Sequence, residues 1–211
     1  MAQDELIYNP MLRCDIEECA QLAAQSFMDY AYFTTYFPDP AQREEFLRRA
    51  ILSEYRTTFG RAQFLVASQE GIIVAVAQVF PPDYRKPSTL RYLTHGWWRV
   101  LALPGQHMVS AWSKMDAEAA AYCHAMMGGG TWYLSSLTVS NAQRGKGIGS
   151  QMLKEAVVPH VRRGGGSRLC LFTNSESNVR FYQRCGFRVV DERQFTYNNQ
   201  TIGSWSLARK V

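Results

Sequence analysis

The chain has 211 residues and is 46% apolar, 13% aromatic and 19% charged, with 23 Lys and Arg against 18 Asp and Glu. That length suits one domain of the usual ~100–200 residues with some decoration, and the composition supplies a packed core while carrying too little charge for an extended disordered chain. No apolar run approaches the ~20 residues of a membrane helix, since the longest, Ile72 to Phe80, is interrupted by Gln78.

The start, Met-Ala-Gln-Asp-Glu, is acidic where a secretory signal is basic, so a cytoplasmic protein without membrane association is expected. The net charge of +5 suits a polyanionic ligand as well as nucleic acid. The arginines are dispersed, however, and nucleic-acid binding is not expected. Five cysteines (Cys14, Cys19, Cys123, Cys170 and Cys185) are an odd number without Cys-x-x-Cys spacing. Neither a disulfide scaffold nor a zinc ribbon follows from them.

In chain order, Leu6 to Tyr8 reads as a short strand ended by Pro10. Asp15 offers a cap for a helix whose apolar positions are Ile16, Cys19, Leu22, Ala23 and Phe27. A second helix is expected from about Ala41 to Phe59, with Phe46, Leu47, Ala50, Ile51 and Tyr55 on one face and Gly60 as its stop. The aromatic cluster between them, Phe27 to Phe37, is core or cleft wall. Gln63 to Ser68 and Ile72 to Phe80 form a hairpin through Gln69-Glu70-Gly71. A helical insertion follows at about 81–130, split by Pro104-Gly105. It carries Trp97, Trp98 and Trp112, which are either an aromatic wall or packing. Beyond Gly128-Gly129-Gly130 the elements alternate. Strands are expected at Thr131–Val139, Arg168–Thr173, Phe187–Phe195 and Thr201–Arg209, with helices at Gly147–Arg163 and Glu176–Arg184. Asn198-Asn199 is the final hairpin turn.

The stretch Arg144-Gly145-Lys146-Gly147-Ile148-Gly149-Ser150 follows an apolar strand and opens a helix with Ile148, Met152, Ala156 and Val157 on its apolar face. Glycines let backbone approach a ligand, and unpaired N–H groups at a helix start, with the positive dipole end, favour a phosphate. It is neither a P-loop nor a dinucleotide fingerprint, because Gly147 follows the only Gly-Lys and the third glycine of G-x-G-x-x-G is missing. Downstream, Ser175 offers a helix cap, Asn178 and Tyr182 share a face, and Gly186 fits the left-handed position after the helix.

Arg144-Gly145-Lys146-Gly147-Ile148-Gly149 resembles the pyrophosphate motif of the GCN5-related N-acetyltransferases (GNAT). The Asn178, Tyr182 and Gly186-Phe187 constellation resembles that family's following segment, with the family's strand Leu169–Thr173 between the two. The segment from Phe80 to Thr131 looks like the subgroup of puromycin acetyltransferases.

The resemblance implies an α/β fold: a mixed, mostly antiparallel sheet with a central parallel splay, flanked by helices, as one domain over residues 1–211. It implies acetyl-CoA as co-substrate, no metal, and transfer of the acetyl group to a primary amine of a small molecule, with a homodimer as a possible assembly. The backbone of Leu137, Thr138 and Val139 would take the pantetheine arm. Arg144, Gly145, Lys146, Gly147, Ile148, Gly149 and Ser150 would hold the pyrophosphate, Asn178 would meet the cofactor, and Tyr182 would protonate the departing thiolate.

Many relatives place a glutamate on the strand before the loop, whereas here Tyr133 to Val139 has no carboxylate or histidine. His95, His107, Asp116 and Glu118 are candidate bases, and the base stays unassigned. A non-catalytic acyl-CoA-binding module, a longer acyl donor and a protein amine remain alternatives.

Overall fold

The computed structural model describes residues 5–125 and 129–211, and the side chains of 122–128 are not described. Expectations that touch Met1–Asp4, Gly128 and the Cys123 side chain lie outside the described residues. The strands are β1 (Ile7–Pro10), β2 (Gln63–Gln69), β3 (Ile72–Phe80), β4 (Thr131–Val139), β5 (Arg168–Thr173), β6 (Arg188–Tyr197) and β7 (Gln200–Lys210). They form one sheet in the order β1-β2-β3-β4-β5-β7-β6. Among the described strands only β4 and β5 run parallel; every other pair is antiparallel.

The helices between β1 and β2 are α1 (Ile16–Ser26), α2 (Ala31–Tyr36) and α3 (Pro40–Thr58). Between β3 and β4 lie α4 (Thr89–Tyr92), α5 (Trp98–Leu101) and α6 (Gln106–Ala125). After β4 come α7 (Ile148–Met152), α8 (Val158–Arg163) and α9 (Glu176–Arg184). A wide π-turn, Leu153–Val157, joins α7 to α8. Pro159 lacks an N–H and its ring would strike the carbonyl of Glu155, so the widened turn lets one helix run through it.

Both faces of the sheet are covered. Alternate residues of β2 divide between them: Leu65 and Ala67 pack with Ile148, Met152, Ala156 and Val157, whereas Phe64 and Val66 pack with Ile16, Cys19 and Tyr55. A third cluster joins Tyr32, Phe33, Tyr36, Phe37 and Phe46 to Val109 and Met115 of α6. Much of the aromatic stretch is therefore core. Trp112 packs on this cluster and Trp97 is half-buried, whereas Trp98 is 55% exposed. The two adjacent tryptophans thus diverge and form no common wall.

Two expected caps behave differently from the usual pattern. Asp15 stands before α1, but its carboxylate accepts from the N–H of Leu12 at 2.8 Å. Ser175 stands before α9 and lies 2.7 Å from the Ser177 hydroxyl instead of capping the backbone. At the final hairpin Asn198 (φ 47°) and Asn199 (φ 62°) both adopt left-handed backbone, as a tight two-residue turn requires.

Candidate active site

The site begins with a failure of strand pairing. β4 and β5 are in register only from Thr131, Trp132 and Tyr133 opposite Arg168, Leu169 and Cys170. Beyond Tyr133 they separate, while β4 stays paired with β3. Ser135 is an extra residue on β4, because Gln78 faces Ser136 and Val79 faces Leu134. Such a bulge bends its strand. The N–H of Ser140 donates to Val74 of β3, so by alternation Leu137 and Val139 turn their backbone groups the other way, into the opening. The Ser26 hydroxyl donates to the Val139 carbonyl at 2.9 Å.

The opening is a cleft of about 930 Å³. That is near the upper end of the ~300–1,000 Å³ usual for small-molecule sites. Leu137, Thr138 and Val139 form one wall, and Asn178, Phe181 and Tyr182 of α9 form the other. Arg144, Gly145, Gly147, Ile148, Gly149 and Ser150 line its end. Lys146 is the one expected residue that does not line it, and its ammonium donates to Gln143 Oε1 at 2.7 Å.

Gly145 (φ 79°) and Gly147 (φ 81°) hold left-handed backbone that side-chain-bearing residues resist. A Cβ on Gly149 would lie 3.3 Å from Phe181 Cζ, so its smallness lets α7 meet α9. Gln151 makes the first backbone bond back to Gly147, which leaves the N–H groups of Ile148, Gly149 and Ser150 without helical partners at the cleft. The Arg144 guanidinium donates to the Ser26 carbonyl, and the Ser150 hydroxyl donates to the Gly147 carbonyl at 2.7 Å. The Thr138 hydroxyl points away, toward the Val76 carbonyl.

Tyr182 is only 8% exposed, yet it lines the cleft. Burial, with smaller contributions from Tyr30 and Cys185, pushes its phenol well above the ordinary value, so it keeps its proton at neutral pH.

Tyr30 was legible only as one member of the aromatic stretch, yet it reaches across the cleft. Its hydroxyl accepts from the N–H of Asn174 at 2.7 Å and lies 2.9 Å from Thr173 Oγ1, onto which Asn178 Nδ2 also donates at 3.3 Å. Tyr30 thereby ties the loop after α1 to the end of β5 and to α9. Ser26, Phe27 and Asp29 line the cleft beside it. No spacing rule singles them out, because they arrive from a loop distant in sequence.

Residues 104–189 match the family model described as an acetyltransferase (GNAT) domain. The matched stretch takes in β4, the glycine turn, β5 and α9. The fold of the chain is shared with a GCN5-related N-acetyltransferase from Rhodopseudomonas palustris (12% identity, TM-score 0.59, covering 100% of this chain and 99% of that one). The PaiA N-acetyltransferase from Thermoplasma acidophilum in complex with coenzyme A is 13% identical, with a TM-score of 0.59 and coverage of 98% and 99%. A GNAT-family acetyltransferase from Elizabethkingia anophelis with acetyl-CoA bound is 14% identical, with a TM-score of 0.53 and coverage of 99% and 100%. No curated protein matches.

At the cleft β4 offers no carboxylate, and the other candidate bases are unevenly placed. His95 Nδ1 donates to the Arg91 carbonyl at 2.7 Å, and His107 and Glu118 are exposed. Asp116 alone lies deep, and burial raises its carboxyl above the ordinary range. Among the described residues no group of three or more His, Cys, Asp or Glu is arranged to hold a metal, and no helix is long and apolar enough to cross a membrane.

Proposed function

We propose that the cleft binds acetyl-CoA and that the protein transfers the acetyl group to a primary amine of a small molecule by direct attack on the thioester. The observation that carries this reading is the convergence of three features on one opening: unpaired N–H groups at the start of α7, outward backbone groups on β4, and a protonated Tyr182. In this reading Leu137, Thr138 and Val139 hold the pantetheine arm. The turn from Arg144 to Ser150, including Lys146, holds the pyrophosphate. Asn178 meets the cofactor. Attack forms the C–N bond and breaks the C–S bond, the sulfur leaves with the electron pair, and Tyr182 supplies its proton. A backbone N–H at the splay steadies the oxyanion. Residues 81–130 are read as a helical insertion in a single domain that shapes the acceptor side.

The bare β4 wall favours a second reading, a non-catalytic acyl-CoA sensor, and Tyr182 in the cleft speaks against it. Thermal unfolding with rising acetyl-CoA, beside CoA and ATP, tests the first step. A native-state ligand adds ~2.7 kcal/mol at a hundredfold excess over its dissociation constant. A saturating shift with acetyl-CoA and CoA but not ATP is expected, and no shift at millimolar acetyl-CoA sinks the reading. Tyr182→Phe should then lower turnover by roughly 10²–10⁴-fold while leaving the acetyl-CoA shift intact. Full turnover in that variant removes Tyr182 from the acid role.

A further inference from the structure

Behind the wall that carries Tyr30 lies a second set of polar groups that the cleft does not use. Glu54 of α3 accepts from Tyr92 Oη at 2.9 Å and from Gln78 Nε2 at 3.4 Å. Asp116 of α6 accepts from Tyr32 Oη at 3.1 Å. Tyr84 and Lys86, from the loop after β3, and Tyr55 of α3 add to the charged and titratable surroundings, and Arg61 acts on Tyr84. Both carboxylates lie mostly inside the molecule, yet both residues keep part of their surface open to water.

Their electrostatic balance is incomplete. Among the described residues neither carboxylate forms an ion pair, and Lys86 is exposed and acts on both only at longer range. Among the described residues, no hydrogen bond reaches the second oxygen of Asp116. Burying carboxylates without a cation is costly, and a bound cation would offset that cost.

This group of residues also neighbours the cleft. The Tyr32 ring lies 6.1 Å from that of Tyr30, and Gln78 stands opposite Ser136, the neighbour of Leu137.

We propose that Asp116 and Glu54, between α3 and α6, form the acceptor site, in which they bind an organic ammonium group beside Tyr32, Tyr84 and Tyr92, and Asp116 receives the proton that the nitrogen must lose before attack. The proposal rests on the transferase reading above. The ammonium gives one proton to the Asp116 carboxylate and becomes a neutral amine. Its lone pair forms the C–N bond as the C–S bond breaks; a second nitrogen proton passes to solvent, and the thiolate takes its proton from Tyr182. The first part of the insertion is basic (Arg85, Lys86, Arg91 and Arg99), but the groups that accept from the Tyr32 and Tyr92 hydroxyls here are the carboxylates of Asp116 and Glu54.

The test is calorimetric titration of the full chain at pH near neutral with butylammonium, phenethylammonium and uncharged phenethyl alcohol, each with and without bound CoA. At least one ammonium should bind at least about tenfold more tightly than the alcohol, and Asp116→Asn should lose at least about tenfold of that affinity. Glu54→Gln, which can accept from Gln78 through its oxygen and donate to Tyr92 Oη through its amide, should lose less and guards against a folding defect in the first variant. Neither substitution should change the acetyl-CoA thermal shift. Where an amine is turned over, the acid limb of the kcat/KM profile should vanish in Asp116→Asn. Equal binding of ammonium and alcohol, no binding of either ammonium at millimolar concentration, or unchanged affinity in both variants overturns the proposal. A missing acetyl-CoA shift beside intact ammonium selectivity overturns the transferase reading and leaves the cation site standing.

Discussion

At the scale of single residues, the glycines near the cleft do different jobs, and substitution should separate them. Gly147 needs left-handed backbone, so Gly147→Ala should cost about 1–2 kcal/mol in urea unfolding. Gly149 has ordinary backbone but little room, because Phe181 lies 3.3 Å from where a Cβ would stand. Gly149→Val should therefore push α7 from α9 and abolish the acetyl-CoA thermal shift while the protein stays folded. Gly166 is different again: an added Cβ would overlap Trp132 and Val161, whose side chains fill the far end of the sheet. Gly166→Ala should destabilise by about 1–3 kcal/mol through overpacking, with acetyl-CoA affinity nearly unchanged in the fraction that folds. The glycine turn was legible in the sequence because spacing and strand-to-helix context act locally. Tyr30 was not, since its role depends on Thr173 and Asn174 more than a hundred positions away.

At the scale of elements, the segment holding Tyr30 owes its shape to Arg43, a buried guanidinium on α3. Its Nε donates to the Met28 carbonyl at 2.8 Å, and its Nη1 donates to those of Phe37 at 2.6 Å and Pro38 at 3.1 Å. These bonds clasp both ends of the aromatic stretch. Arg43→Met should cost about 2–4 kcal/mol and weaken acetyl-CoA binding together with stability, because the carbonyls lose charged donors and the Tyr30 loop loosens. Denaturant unfolding and the acetyl-CoA shift, measured on the same sample, check the coupling. The strands and long helices were readable from periodicity to within a residue or two. A buried arginine reads in sequence as one more solvated charge of α3, and Ser135-Ser136 in β4 reads as a polar step with no sign of a bulge, so neither was anticipated.

At the scale of the whole molecule, stability should depend on pH in the direction opposite to that of a protein held by salt bridges. Burial raises the carboxyls of Glu54 and Asp116 in the folded state. The folded chain therefore holds protons that the unfolded chain has released, and stability falls as pH rises from about 4, the unfolded value, through the raised folded values. Asp116→Asn should flatten this slope and raise the melting temperature near neutral pH, as a pH series of melting curves would show. A lower melting temperature would mean that the carboxylate is better compensated than its partners indicate. Glu54 was legible as a helix residue and nothing more, because its importance comes from α4 and the loop after β3 folding over it.

The short parallel junction has a mechanical consequence. Strands β1 to β4 and strands β5, β7 and β6 are two half-sheets joined edge to edge at only three residue pairs, Thr131 to Tyr133 against Arg168 to Cys170. A ligand lying against Leu137 and Val139 on one side and Asn178 and Tyr182 on the other would span the gap as a strut. Amide exchange at Tyr133 and Cys170, the last rung before the strands part, should then slow more on acetyl-CoA binding than exchange in the β2–β3 hairpin, which lies within a single half.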